Sequence, residues 1–125
     1  MKQIALIAHD NKKPDLADWV KRHATQLRPH NLICTKTTGT VIQAGVSLEN
    51  IELVKSGPLG GDQQIGALIA LDKIDLLVFF TDPTTPHPHD VDVKALTRLA
   101  TVYDIPMACS KATANLIIAS GFLES

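Results

Sequence analysis

The chain has few of the residues that mark several common classes of protein. Aromatic residues make up 4% of its 125 residues, and its formal net charge is −1. The few aromatic residues give no sign of base stacking, and the net charge gives no sign of a basic surface. Neither therefore points to binding of nucleic acid or of a membrane surface. No hydrophobic run is long enough for a membrane span or for the core of a signal peptide. We expect a cytoplasmic protein without nucleic-acid or membrane partners.

Motifs for metals and for common cofactors are also missing. The two cysteines, Cys34 and Cys109, lie far apart in short apolar stretches and form no C-x-x-C, so we expect buried free thiols. There is no Walker A motif and no G-x-G-x-x-G, which argues against a nucleoside triphosphate or a dinucleotide. His87 and His89 are close in sequence, but no regular set of metal ligands accompanies them. We expect no metal and no cofactor.

Short β-rich runs alternate with helical patterns along the whole chain. The predicted strands are IALIA, NLICT, IELVKS, IDLLVFF and IPMAC, of which IDLLVFF is the most apolar and is expected at the centre. Helices are predicted over PDLADWVKRHATQL, TVIQAGV, QQIGALIALD, VDVKALTRLATVYD and KATANLIIAS, and TKTTGT is interpreted as a loop. This alternation predicts one α/β domain over residues 1–125, a doubly wound, five-stranded parallel sheet with helices on both faces.

Polar and charged residues concentrate directly after the predicted strands. The carboxyl ends of parallel strands lie at one edge of a sheet, where ligands of such folds bind. The candidates at this edge are His9, Asp10, Lys13, Thr35, Lys36, Thr37, Thr38, Ser56, Gly57, Asp62, Asp82, His89 and Asp92. The hydroxyls, glycines and lysines are typical of a phosphate cradle. The carboxylates and imidazoles suit proton transfer.

The stretch SGPLGGDQQIGALIA, from Ser56 to Ala70, has two interpretations. Asp62 precedes a helical pattern, so its side chain could cap that helix. Alternatively, the glycines let the backbone approach a ligand closely, and Asp62 faces that ligand. Other candidates also have simple structural alternatives. Asp90 is favoured as the cap of a helix beginning near Val91, and the threonines and Asp82 could be turn formers.

The chain resembles the methylglyoxal synthase family over nearly its whole length. The shared motifs are IALIAHD, TTG, SGPLGGDQQIGALIA, FFTDP, PHDVDVKAL, RLATVYDIP and ATA, in that order. The resemblance implies a carbon–oxygen lyase that converts dihydroxyacetone phosphate to methylglyoxal and inorganic phosphate without metal or organic cofactor. It also implies a homohexamer that phosphate inhibits.

The resemblance further implies roles for individual residues. Asp62 matches the catalytic base, and the other catalytic positions are His9, Asp10, Asp82, His89 and Asp92. The phosphate-binding positions are Lys13, Thr35, Thr37, Thr38, Ser56 and Gly57, with His9 and His89 beside the substrate. Either histidine could donate a hydrogen bond to the substrate carbonyl. The family loop TGTTG is TKTTG here, so Lys36 either is strained, if the position needs positive φ, or adds charge to the phosphate site.

Two other functions remain open from the residues. A non-catalytic effector-binding domain, like the allosteric domain of carbamoyl phosphate synthetase, needs the phosphate cradle but not the carboxylates. A sugar-phosphate isomerase shares the proton abstraction but holds the C–O bond to phosphate in the plane of the enediolate, whereas elimination needs that bond perpendicular to the plane. The set of aspartates and histidines in a free-standing chain favours the synthase.

Overall fold

The computed structural model describes all residues, 1–125. Five parallel strands form one sheet in the order β3-β2-β1-β4-β5. They are β1 (Gln3–Ala8), β2 (Asn31–Thr35), β3 (Ile51–Val54), β4 (Leu76–Phe80) and β5 (Met107–Ala108). The helices are α1 (Lys13–Arg22), α2 (Ala24–Leu27), α3 (Lys36–Gly45), α4 (Gly61–Ala70), α5 (Asp90–Val102) and α6 (Lys111–Ala119). The predicted doubly wound parallel sheet is confirmed, although β1, not β4, is its middle strand.

The helices cover both faces of the sheet because alternate strand residues point to opposite sides. Ile4 and Leu6 of β1 belong to a core shared with α1, α2, α3 and α6, in which Trp19 is 1% exposed. Ala5 and Ile7 belong to a second core, shared with α4 and α5. Strands buried on both faces account for the continuous apolar runs in the sequence.

Two helix predictions need correction. The helix predicted over residues 14–27 is interrupted at His23, whose φ of −108° and ψ of 22° separate α1 from α2. The segment TKTTGT is not a loop, because α3 begins at Lys36. Thr38 is 1% exposed, and a Cβ at Gly39 would lie 2.2 Å from Leu53 Cδ2. Close packing against β3 therefore overrides the weak helix propensity of threonine and glycine.

The two cysteines differ from each other. Cys34 is a buried free thiol, and burial raises its pKa to about 12. Cys109 is exposed, so the prediction of burial is wrong for it. It lies at the end of β5, where the sheet gives way to the loop before α6. None of the helices is both long and apolar enough to cross a membrane.

Candidate active site

A cavity of about 450 Å³ opens at the carboxyl ends of the strands. It lies where the chain, having built β1, β2 and β3 outward in one direction, returns to add β4 on the other side of β1. Such a reversal of strand order is where open α/β sheets bind ligands. The predicted residues that line it are His9, Asp10, Lys13, Thr35, Thr37, Ser56, Gly57, Asp62 and His89. Apolar side chains, among them Ile7, Phe79 and Val93, complete its wall.

The glycine loop, residues 55–61, joins β3 to α4 in a conformation that only glycine tolerates. Gly60 has a φ of 106°, in the left-handed region. A Cβ at Gly61 would lie 1.8 Å from the carbonyl oxygen of Lys55. The amides of Gly60 and Gly61 donate to the carbonyl oxygens of Gly57 and Ser56. These two glycines therefore shape the turn, and their amides are not free for a ligand.

Asp62 enters the cavity from the first turn of α4. The N-cap of this helix is Gly60 and no side chain caps it, so the interpretation of Asp62 as a helix cap is wrong. The residue is 6% exposed, yet its carboxylate accepts no hydrogen bond from any protein group. A Cβ at Gly57 would lie 3.3 Å from Asp62 Oδ1, so the absence of one leaves that oxygen uncovered. Burial and then the nearby Asp92 raise the pKa of Asp62, and His89 partly offsets them.

Asp82 stands in the proline loop, residues 81–89, and is also buried but fully bonded. Oδ1 accepts from the Thr84 amide at 3.1 Å and from its hydroxyl at 2.7 Å, and Oδ2 accepts from Asn11 Nδ2 at 2.9 Å. These hydrogen bonds, led by the Thr84 hydroxyl, hold the pKa of Asp82 well below its usual range. The carboxylate does not line the cavity. It fixes the loop that does.

The backbone of Asp82 orients His9. The Asp82 amide donates to His9 Nδ1 at 2.8 Å. Because an amide can only donate, this nitrogen must be the unprotonated one, and a neutral His9 carries its proton on Nε2. Burial, followed by the neighbouring His87, lowers the pKa of His9. The site thus holds a neutral imidazole with one free N–H.

The opposite wall of the cavity carries the positive end of α3 and one lysine. Thr35 is the N-cap of α3, but its side chain makes no capping bond and instead donates to Thr38 Oγ1 at 3.0 Å. The first amides of the helix therefore keep their capacity to bind an anion. Lys13 lies mostly buried beside them and forms an ion pair with the exposed Asp10. That hydrogen bond from Lys13 lowers the pKa of Asp10.

His89 and Asp92 stand at the start of α5. His89 Nδ1 lies 3.9 Å from Asp92 Oδ2, and Asp92 Oδ1 accepts from Gln63 Nε2 at 2.8 Å. This bond ties α5 to α4 next to Asp62. The N-cap of α5 is His89, so the prediction that Asp90 caps this helix is wrong. Asp90 instead pairs with Lys94 at 3.0 Å.

Four predicted residues lie outside the cavity, and one polar lining residue, His87, was not among the predicted site residues. Asp82 and Thr38 are buried behind the wall, Asp92 lies beside it, and Lys36 is exposed on α3. Lys36 is helical rather than left-handed, so the strain considered above is absent. His87 lines the cavity and stacks on His9 with ring centroids 3.8 Å apart. Its position between two prolines of a rim loop was the sequence signal that could have indicated this contact.

No group of three or more His, Cys, Asp or Glu side chains is arranged to hold a metal ion.

The comparisons with known proteins agree with this architecture. The family model described as "MGS-like domain" matches residues 15–109. The chain is 62% identical to the methylglyoxal synthase of Agrobacterium fabrum over 92% of this chain and 91% of that protein. It is 54% identical to the methylglyoxal synthase of Pseudoalteromonas atlantica over 95% of this chain and 87% of that one. The crystal structure of methylglyoxal synthase from Elizabethkingia anophelis superposes with a TM-score of 0.93 at 53% identity, over 99% of this chain and 81% of that chain.

Fold and site together define an α/β domain of the MGS-like type, with a cavity of about 450 Å³ that contains a desolvated carboxylate. At these identities and coverages, the chain belongs to the methylglyoxal synthase family. It is therefore an enzyme, a lyase that acts on a small molecule. The predicted family and activity are confirmed.

Proposed function

We propose that this enzyme converts dihydroxyacetone phosphate to methylglyoxal and inorganic phosphate, with Asp62 as the catalytic base. The observation that carries the assignment is the carboxylate of Asp62, which is buried, lacks a hydrogen-bond partner and faces the cavity across Gly57. A base with a raised pKa removes a proton from carbon more effectively than an ordinary aspartate. Burying a carboxylate without a hydrogen-bond partner costs free energy, and groups with such perturbed pKa values cluster at functional sites.

Asp62 removes a proton from the hydroxymethyl carbon of the substrate, next to the carbonyl. The electron pair of that C–H bond forms a C=C bond, and the carbonyl oxygen becomes the oxyanion of an enediolate. His9 donates its Nε2–H to this oxygen as the charge develops. A neutral imidazole suits the role, as the handling of an enediolate in triosephosphate isomerase illustrates.

The enediolate then expels phosphate. The O–H bond of the hydroxyl breaks, its electron pair forms the C=O bond of the aldehyde, and its proton passes to the departing phosphate. The C=C bond shifts to the neighbouring carbon, and the C–O bond to phosphate breaks with its electrons on phosphate. The product is the enolate of methylglyoxal, which becomes methylglyoxal by taking a proton on its methylene carbon, so that the proton removed by Asp62 is returned. This elimination needs the C–O bond perpendicular to the enediolate plane, because only there does it overlap the π system.

The phosphate cradle on the α3 side of the cavity supports that geometry. We assign the phosphate to the first amides of α3 with Thr35, Thr37, Lys13, Ser56 and Gly57. The amides of Ser56 and Gly57 make no hydrogen bond within the protein, unlike those of Leu59, Gly60 and Gly61. Thr38 supports the cradle through its bond to Thr35, and Lys36 contributes only long-range positive charge.

The remaining residues serve the proton transfers. His89, oriented towards Asp92, is the candidate donor that returns a proton to carbon as the enolate becomes product. Asp92 also tunes Asp62, whose pKa it raises. Asp10 holds Lys13, and Asp82 holds His9 and the proline loop.

Three further features belong to the proposal because the family resemblance implies them. The enzyme acts as a homohexamer in the cytoplasm, and inorganic phosphate inhibits it. The cradle supports inhibition because product phosphate and substrate phosphate would occupy the same amides and hydroxyls. Strongly exposed apolar side chains, such as Leu59 and Leu116, support association between chains. Analytical ultracentrifugation tests the hexamer, and initial rates over a range of phosphate concentrations test the inhibition.

Product analysis tests the function. Purified protein is incubated with dihydroxyacetone phosphate, and released phosphate and trapped methylglyoxal are followed beside the Asp62→Asn variant. We expect equal amounts of the two products, and a loss of about 10²- to 10⁴-fold in kcat for the variant, as for other general bases. Asp72→Asn is the matched control, because Asp72 lies at the far end of α4 with a φ of 57°, which asparagine tolerates. Glyceraldehyde phosphate as product would identify an isomerase, and unchanged substrate with tight phosphate binding would identify an effector module.

A further inference from the structure

The proline loop brings a second imidazole into direct contact with His9. The rings of His9 and His87 are stacked, with centroids 3.8 Å apart and planes inclined by 21°. The edge of Phe79 contacts His9 from another side, at a centroid distance of 5.1 Å. His9 is thus packed between an aromatic edge and an imidazole face. Its orientation depends on both.

The backbone of one residue, Asp82, holds both imidazoles. The Asp82 amide donates to His9 Nδ1 at 2.8 Å, and the Asp82 carbonyl oxygen lies 3.0 Å from His87 Nε2. Since a carbonyl only accepts, Nε2 of His87 must carry a proton. The same residue is fixed through its carboxylate by Thr84 and Asn11. The two rings are therefore set against each other by a rigid anchor.

We propose that His87 is a positioning residue, which holds the ring of His9 in place and opposes its protonation. Two stacked imidazoles cannot both carry a positive charge without mutual repulsion. A protonated His9 would also place its Nδ1–H against the Asp82 N–H. His87 thereby keeps His9 in the neutral form whose Nε2–H faces the oxyanion, and in this respect the inference rests on the proposed function.

The other charged groups around His9 are known, so the effect of His87 can be separated from theirs. Lys13 and Asp10 face His9 from the segment after β1, and Asp82 faces it from the proline loop. The two aspartates favour the protonated form, and Lys13 opposes it. Substitution of His87 leaves all three in place.

Two variants divide the role of His87 into its parts. His87→Gln keeps a donor for the Asp82 carbonyl but removes the ring. His87→Phe keeps the ring but removes both the donor and the second ionisable group. His23→Gln is the matched control, because His23 lies between α1 and α2, away from the cavity.

The test is a ¹⁵N titration of the His9 ring by NMR, in phosphate-free buffer without substrate. We expect the Nε2–H tautomer in the wild type, a higher pKa of His9 in both His87 variants, and no change in His23→Gln. Kinetics should show kcat lower by about tenfold to a hundredfold in His87→Gln, as small misplacements of a reacting group produce. KM should change little, because the lost interaction belongs to the transition state. His87→Phe should retain more activity than His87→Gln.

An unchanged His9 titration in both variants, or an Nδ1–H tautomer in the wild type, would overturn the proposal. A His87→Gln variant with wild-type kcat would overturn it as well. These outcomes are distinct from failure of the proposed function. A wild-type protein that makes no methylglyoxal would contradict the function, while the ring titration would still decide the relation between His87 and His9.

Discussion

Two loops border the cavity, and two buried aspartates, Asp82 in the proline loop and Asp62 directly after the glycine loop, have opposite surroundings. In the proline loop, Asp82 accepts three hydrogen bonds and its pKa is lowered. In the first turn of the helix that follows the glycine loop, Asp62 accepts none and its pKa is raised. Both residues are about equally hidden from solvent, at 5% and 6% exposure. Burial alone therefore does not decide what a carboxylate does.

The difference between the two aspartates lies in the local backbone and its partners. Thr84 in the turn after β4 and Asn11 in the segment after β1 both donate to Asp82, so Asp82 acts as an anchor. In the glycine loop, the amides of Leu59, Gly60 and Gly61 bond within the turn, and no amide of the loop donates to Asp62. One carboxylate stabilises the structure, and the other remains reactive. Environments that separate the pKa values of two carboxylates are a general feature of acid–base sites.

The largest change in stability is expected from Gly61→Ala. The added Cβ would lie 1.8 Å from the Lys55 carbonyl oxygen, which belongs to backbone and cannot give way cheaply. We expect a loss of more than about 3 kcal/mol in the free energy of unfolding, at the upper end for overpacking. Denaturant unfolding measures it. Gly45→Ala is the control, since nothing lies within 4 Å of its Cβ position, and a loss of similar size there would contradict the account.

Asp82→Asn should weaken the anchor and make stability less dependent on pH. The folded-state pKa of Asp82 is below its ordinary value of 3.8. Its contribution is therefore complete above that value and is lost as the pH falls towards the folded-state pKa. We expect the variant to be less stable than the wild type at pH 7, with the difference shrinking on acidification. Urea unfolding at pH 7 and at a pH below 3.8 measures the difference in stability, with the exposed Asp18→Asn as control. A constant difference would show that the charge of Asp82 is not involved.

Asp92→Asn should make Asp62 more acidic. Asp92 is the second cause, after burial, of the raised pKa of Asp62. Asparagine keeps an oxygen that can accept from Gln63 Nε2, so the contact between α4 and α5 is retained. We expect the pKa of Asp62 to move down towards 3.8. A titration of its carboxyl ¹³C shift measures this change. An unchanged titration would assign the whole effect to burial.

The smallest effect is expected from Lys36→Gly, which restores the family residue. Lys36 is exposed in the first turn of α3 and does not line the cavity. We expect KM and phosphate inhibition to remain nearly unchanged, with a stability loss of about 1 kcal/mol at most from helix propensity. Steady-state kinetics over a range of phosphate concentrations checks this. A large rise in KM would place Lys36 in the phosphate site after all.

The sequence predicted the sheet and the rim better than it predicted local connections. Apolar runs of strand length marked β1, β2 and β4, because strands buried on both faces need such runs. The residues that follow the strands indicated the cavity, since parallel strands end at one edge. The helical start of α3 was missed because its cause is tertiary, namely the packing of Gly39 on Leu53.

The site depends equally on contacts that no local pattern records. His9 and Asp82 are neighbours because Ala8 pairs with Phe80 across β1 and β4. The stacking of His87 on His9 follows from the path of the proline loop, which sequence spacing does not reveal. Likewise, two of the three glycines before Asp62 proved to serve backbone geometry rather than the ligand. Sequence motifs identify the residues of the site, and the tertiary structure determines the contacts that each of them makes.

The most direct test of this account is a carboxyl ¹³C titration of the wild-type protein. Asp62 and Asp82 are assigned by comparison with their Asn variants, without substrate or phosphate. The account predicts that Asp62 titrates above 3.8 and Asp82 below it. An Asp62 that titrates at or below 3.8 would contradict it, because the proposed base would then be no more than an ordinary surface-like carboxylate.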